Sequence, residues 1–169
     1  MNSLRLNELF VESEPGILRF KTDRYSGIVY SRLMARAGDI AGHLDKRKNY
    51  WIMYVDGENV TRGRVIWEMH NGPIPDGMEI DHKNHDTLND SIDNIRLASR
   101  KQNQANRRKH KNNTSGLKGV SYEQSKCKWR AQMQFEGKRK TIGSYENKWL
   151  AYAAYCDAVL DYHGEFACL

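Results

Sequence analysis

The 169-residue sequence has few cysteines, few prolines and, over one long stretch, few acids. Its three cysteines, Cys127, Cys156 and Cys168, are widely separated and form no C-x-x-C pair. That argues against a disulfide framework and against a structural zinc. Free thiols suit a reducing cytoplasm, which is the expected location. No apolar run approaches the ~20 residues that a membrane span requires, so no membrane partner is expected. Residues 1–15 lack the apolar stretch of a secretory leader, and none is expected there. The three prolines mark breaks: Pro15 with Gly16, and Pro73 and Pro75 within the turn-rich stretch 71–77.

Acids are scarce between Arg100 and Lys148, where fourteen Lys/Arg face only three Asp/Glu. The whole chain carries +6, so the remainder is net acidic. A basic half beside an acidic half is the footprint of nucleic-acid binding. Membrane-surface binding would need those bases on one face of an amphipathic helix, and they are not so arranged. The length allows one ordinary domain or two small ones.

What is present is a compact set of chemistry-bearing residues: Asp81-His82, then Asn94, then Asn103. An acid, an imidazole and two amides are the means of phosphodiester hydrolysis. A hard cation on oxygen ligands polarises the scissile phosphate, and a neighbouring imidazole deprotonates water. The local pattern predicts one hairpin and one helix. Glu79-Ile80-Asp81 reads as a strand, 84–93 is polar and turn-rich, and Ile95-Arg96-Leu97-Ala98 alternates as a second strand. Ser99 with Gln102 forms a capping box, so a helix is predicted near Arg100, with Asn103 on its first turn.

The stretch 64–106, with I-D-H-K-N-H-D-T-L-N-D at 80–90 and D-N-I-R at 93–96, resembles the HNH homing endonucleases of phages and mobile introns. The resemblance implies a ββα-metal nuclease core. It matches Asp81 and Asn103 to the metal ligands, His82 to the general base, and Asn94 to the residue that holds and orients the His. It implies Mg²⁺ (or Mn²⁺) as cofactor and double-stranded DNA as substrate. Gly63 departs from it, standing where many members carry a His. His85 is the rival histidine, but no Cys or third His lies near His82 and His85 to complete a tetrahedral zinc site. His85 reads as a turn residue, and His70, at the end of an apolar helix, as structural.

Four segments are expected: a β-rich lead-in over 1–63, the nuclease core over 64–106, a basic linker over 107–116, and a second domain over 117–169. In the lead-in, Ile17 to Phe20 reads as a strand. Tyr50 to Val55 and Glu58 to Thr61 flank Asp56-Gly57 as a hairpin. Residues 37–42 resemble a segment upstream in many phage HNH proteins. Val65 to Met69 is an apolar helical stretch. The linker bases Arg107, Arg108, Lys109 and Lys111 are expected to track phosphates.

In the last segment Lys118 to Glu123 is predicted as a strand, Lys128 to Phe135 alternates as a second, and Lys138 to Gly143 returns as a third after Glu136-Gly137. Asn147 is the expected cap of a helix that Gly164 ends. This segment resembles the AP2/ERF DNA-binding domain through Lys118-Gly119-Val120, Trp129, Ile142-Gly143-Ser144-Tyr145 and the Ala151, Ala154, Tyr155 spacing. The resemblance implies that the outer sheet face enters the major groove, with Lys118, Ser121, Arg130, Gln132, Gln134, Arg139 and Thr141 facing DNA. Arg and Gln read guanine and adenine edges. Ser121 and Glu123 stand where plant members carry arginines, so their target sequence does not transfer.

The expectation is therefore an α+β chain: a small nuclease domain with a β-rich lead-in, then a three-stranded antiparallel sheet packed on one helix. Its expected function is metal-dependent DNA endonuclease of the phage homing type, monomer or homodimer on DNA, in the bacterial cytoplasm if phage-encoded. A DNA-binding regulator with a vestigial nuclease site is the alternative.

Overall fold

The computed structural model describes residues 3–26 and 32–169. It is a mixed α/β structure, rich in sheet with few helices, and it divides into two compact units, Met1–Ser99 and Arg100–Leu169. None of the helices among the described residues is long and apolar enough to cross a membrane.

The first unit opens with α1 (Ser3–Leu9). The hairpin β1 (Phe10–Glu14) and β2 (Ile17–Phe20) follows. It turns at Pro15-Gly16, where the Gly16 N–H donates to Glu12 Oε1 at 2.7 Å. Next, β3 (Arg24–Ser26) pairs antiparallel with β4 (Arg32–Ala35). Strands β5 (His43–Asp45), β6 (Tyr50–Val55) and β7 (Glu58–Thr61) form a three-stranded antiparallel sheet in chain order. Asp56 and Gly57 both take positive φ, 52° and 90°, as a tight hairpin turn demands.

Helix α2 (Arg62–Asn71) starts at the residue after β7. The hairpin β8 (Met78–His82) and β9 (Ile95–Ser99) closes the unit, in register from Met78 opposite Ser99 to His82 opposite Ile95. Leu6, Phe10, Leu18, Met53, Val65, Ile66 and Ile95 form the core. Val65 and Ile66 are fully buried, so α2 is pinned by its apolar side. Each such side chain contributes roughly 1.5–3 kcal/mol on burial. Because α2 and β9 share this core, the first turn of α2 and the end of the hairpin are held in one frame.

The second unit begins with α3 (Arg100–Ala105), where the capping box predicts a helix. The helix stops at Ala105, and the basic run that follows does not prolong it. Strands β10 (Val120–Glu123), β11 (Lys128–Phe135) and β12 (Lys138–Tyr145) form an antiparallel sheet in chain order. Helix α4 (Lys148–His163) packs on it. Ala131 and Met133 of β11 are buried with Ala151, Tyr155 and Val159 of α4, as the alternation of the strand and the spacing of the helix require. Asn147 caps α4, its Oδ1 accepting the Trp149 N–H at 2.7 Å.

The predicted first strand of this sheet starts two residues late. Gly119 has φ +72°, which breaks the extended backbone before Val120. A Cβ built on Gly119 would lie 2.1 Å from the Tyr155 ring. The glycine therefore serves both the turn and the seating of α4. Gly119→Ala should destabilise the unit by about 2–4 kcal/mol, combining left-handed strain with overpacking. Gly137→Ala, at φ +77° with nothing within 4 Å, should show only the strain, about 1–2 kcal/mol. Urea unfolding midpoints of the two variants measure the difference, which reports the ring contact alone.

Candidate active site

Asp81 and His82 end strand β8, and both are buried, at 4% and 5% exposure. Successive residues of a strand point to opposite faces, so the acid and the imidazole meet different partners. Asp81 lies opposite Arg96 in the hairpin register. Arg96 Nε donates to Asp81 Oδ2 at 2.8 Å.

His82 faces a second carboxylate. Its Nε2 lies 3.0 Å from Oδ1 of Asp90, which is 2% exposed. The other oxygen of Asp90 accepts from Arg62 Nε at 2.9 Å, and the two side chains are only 3–4% exposed. Arg62 is the first residue of α2. Its Nη2 donates to the Leu88 carbonyl at 3.1 Å, and its guanidinium lies 4.6 Å above the Trp51 ring. The Tyr50 ring stands 5.9 Å from that of His82. A buried pair of this kind contributes little net stability, but losing one partner strands a charge, typically costing 3–5 kcal/mol. Asp90, Arg62, Tyr50 and Trp51 were not singled out from sequence. The one available signal is Gly63, which stands where many members of the resembling family carry a His; in the structure a Cβ there would lie 2.7 Å from Asp90 Oδ1.

Asn94 differs from its expected role. Its amide holds the loop between β8 and β9: Nδ2 donates to the Asn89 carbonyl at 2.7 Å, and Oδ1 accepts the Asn84 N–H at 3.2 Å. The Lys83 N–H also donates to the Asn94 carbonyl, at 2.8 Å. Asn94 is thus the strut of the loop that carries Asp90, whose carboxylate meets the His82 ring. From the preceding sheet, Asn49 Nδ2 donates to Thr87 Oγ1 at 2.9 Å, and that hydroxyl donates to the Asn49 carbonyl at 2.6 Å. His85 sits in the turn at φ +64°, its N–H donating to the His82 carbonyl. His70 Nε2 lies 2.6 Å from Glu12 Oε2, consistent with a structural part.

The structure therefore gathers Asp81, His82 and Asn94 in the first unit. Asn103 lies half-buried on α3 of the second. Among the described residues, no group of three or more His, Cys, Asp or Glu could hold a metal ion. Asp81 remains a buried carboxylate of the type that a hard cation takes, with Arg96 among its partners.

In the second unit six of the seven expected DNA-facing sheet residues, all but Lys118, fall on one sheet face. Ser121 is opposite Arg130, Gln132 opposite Thr141, and Gln134 opposite Arg139. Ser121 Oγ and Arg130 Nε are buried there without a hydrogen-bond partner. A groove of about 570 Å³ is lined by Arg107, Arg108, Lys109, Gln132, Gln134 and Arg139, among others. Lys111 is exposed beyond them. Lys118 is a correction. Its ammonium donates to the carbonyls of Arg107, Ala105 and Cys168, at 2.6, 3.0 and 2.9 Å. All three donors of a lysine are thereby used inside the unit. Burial also pushes its pKa below the usual lysine range.

A family model described as HNH endonuclease matches residues 62–105. That span begins at Arg62 and includes Asp81, His82, Asp90, Asn94 and Asn103. The chain is 43% identical over 98 residues to Protein 3.8 of Escherichia phage T7. The alignment covers 58% of this chain and 78% of that protein. No solved structure is significantly similar.

Lys118→Met should orphan three backbone carbonyls and lower stability by about 2 kcal/mol or more. The urea midpoint of the variant checks this, beside its affinity for duplex DNA. A lysine serving DNA instead would lower affinity and leave the midpoint in place.

Proposed function

The chain belongs to the same family as Protein 3.8 of Escherichia phage T7 and carries an HNH endonuclease domain, and from that premise we propose that it is a metal-dependent DNA endonuclease of the homing type. The reading rests on one observation: an acid and an imidazole adjacent at a strand end, with the imidazole ring held by a buried carboxylate, inside the matched span.

His82 is the general base. A carboxylate can only accept, so Asp90 Oδ1 calls for a hydrogen on His82 Nε2. The neutral ring then carries its lone pair on Nδ1, which takes the proton from water as the water oxygen attacks phosphorus. The bond from phosphorus to the 3′ oxygen breaks, leaving a 5′ phosphate. A divalent cation such as Mg²⁺ or Mn²⁺, assigned to Asp81 with Asn103 as its partner in the motif, would polarise the phosphate and offset charge on the leaving oxygen. Asn94 keeps the loop closed around these groups.

Address is assigned to the second unit. Arg130, Gln132, Gln134 and Arg139 share a sheet face and carry the side chains that read base edges, as in the AP2/ERF domain that the segment resembles. Arg107, Arg108, Lys109 and Lys111 are exposed bases suited to phosphate. One catalytic set per chain cuts one strand per visit, so a monomer nicks, and two chains or two visits make a double-strand break.

The second reading, a DNA-binding regulator with a vestigial nuclease site, is favoured by the Arg96–Asp81 contact, because an arginine already neutralises the carboxylate that a cation needs. Nicking of supercoiled plasmid separates the two. Cleavage should require Mg²⁺ or Mn²⁺ and stop in EDTA. His82→Ala should lower its rate roughly 10²–10⁴-fold, with DNA affinity within a few-fold of wild type. No nicking by the intact protein with either metal, on phage or host DNA, would favour the regulator.

Address is tested separately by binding across a salt series, on selected and scrambled duplexes. Arg130→Ala should relax sequence preference, a good base contact being worth about 1–3 kcal/mol. Arg108→Ala should weaken binding to all sequences alike and flatten the salt dependence by roughly one unit of slope. The reverse pattern would remove the sheet as the address reader.

A further inference from the structure

We propose that Asp90 and Arg62 together form a positioning device that fixes which nitrogen of His82 is the base. The proposal rests on the nuclease reading for its purpose, but its central claim concerns the ring itself.

The chain of contacts is continuous. Trp51 lies under the Arg62 guanidinium, Arg62 Nε donates to Asp90 Oδ2, and Asp90 Oδ1 meets His82 Nε2. Arg62, Asp90 and His82 are all at most 5% exposed, so water is not an easy substitute for any of them. Arg62 has donors and no acceptor. Whatever occupies position 90 must therefore turn an acceptor toward Arg62. A carboxylate has a second acceptor to offer His82, and the ring answers with a hydrogen on Nε2. Arg62 is itself fixed, by the Leu88 carbonyl and by the Trp51 face. The close approach of Asp90 Oδ1 to Gly63 leaves no room for a side chain to displace it.

An isosteric change at position 90 acts asymmetrically. In Asp90→Asn the single amide oxygen is claimed by Arg62, so the NH₂ group faces His82. An NH₂ group donates, so Nε2 must accept and the hydrogen moves to Nδ1. The ring keeps its place, but the base nitrogen is lost. Removing the claim on the oxygen, in Arg62→Met/Asp90→Asn, lets the amide turn over and present its oxygen to Nε2 again. A side chain that merely stabilised the fold would give the opposite order, with the double variant no better than the single one.

The experiment reads the ring and the reaction in parallel. Long-range ¹H–¹⁵N spectra of the His82 imidazole, at a pH where it is neutral, report which nitrogen carries hydrogen. Single-turnover nicking with Mg²⁺ reports the rate, and binding to uncleaved duplex reports affinity. Wild type should show Nε2–H. Asp90→Asn should show Nδ1–H and cut about 10⁴-fold more slowly with affinity unchanged, as expected when a catalytic imidazole is held in the wrong tautomer. The double variant should return to Nε2–H and recover at least ten-fold in rate. Nδ1–H in the wild type, or Nε2–H retained in Asp90→Asn, would overturn the proposal. If Asp90→Asn does not fold, Nδ1–H in either the wild type or the double variant still overturns the proposal. A wild type that shows Nε2–H but cuts no DNA would fail the nuclease reading and leave the positioning device standing.

Discussion

The ion pair between Arg62 and Asp90 is the constraint on which the site depends. It joins residues twenty-eight apart in sequence, one at the start of α2 and one in the loop between β8 and β9. The helix start is set by the core, through Val65 and Ile66. The loop touches that core only near its end, through the half-buried Ile92. It takes its position from polar contacts: Asp90 on Arg62, Asn94 on Asn89 and Asn84, and Thr87 on Asn49. A loop held this way is rigid only while every buried partner is satisfied.

The division of labour follows from which interactions are directional. The hydrophobic core places the β8–β9 hairpin and α2 to within their packing, but packing alone does not orient an imidazole. That orientation needs a hydrogen bond with a fixed partner, and the partner must in turn be fixed. Asp90 supplies the first bond, and Arg62 with Trp51 supplies the second tier. The β-rich lead-in thereby acquires a part beyond scaffold, since Tyr50, Trp51 and Asn49 reach the site from β6 and the turn before it.

What was legible in the sequence was local. The hairpins at 50–61 and 128–145, the start of α3 and the cap at Asn147 all follow from neighbours within a few residues, and the structure has them. Asp81 and His82 stand out as candidates because motif spacing is linear. Asp90 was not, because an acid in a polar turn looks the same whether it faces water or a buried arginine twenty-eight residues away. Helix α1 is seven residues with no acid in its first turn and no base in its last, so little in its own sequence announced it. Lys118 faces DNA only by its place in the AP2/ERF resemblance; here the positive φ of Gly119 interrupts strand geometry just after it, and its ammonium turns to carbonyls of its own unit. Asn94 was read by its place in a motif, and its contacts turned out to be with backbone.

Two carboxylates flank His82, and both are buried against an arginine: Asp81 against Arg96, Asp90 against Arg62. Each pair is nearly neutral as a unit, which is how a site with so little exposure holds two acids. The pairs differ in what surrounds them. Arg62 is 4% exposed and bound on three sides, by Asp90, by the Leu88 carbonyl and by the Trp51 ring. Arg96 is 12% exposed and lies on the hairpin beside its acid. The Arg62 pair sits deeper and answers to His82 instead. On the proposed reading, the acid assigned to the cation has the less enclosed arginine, and the acid assigned to the ring has the more enclosed one.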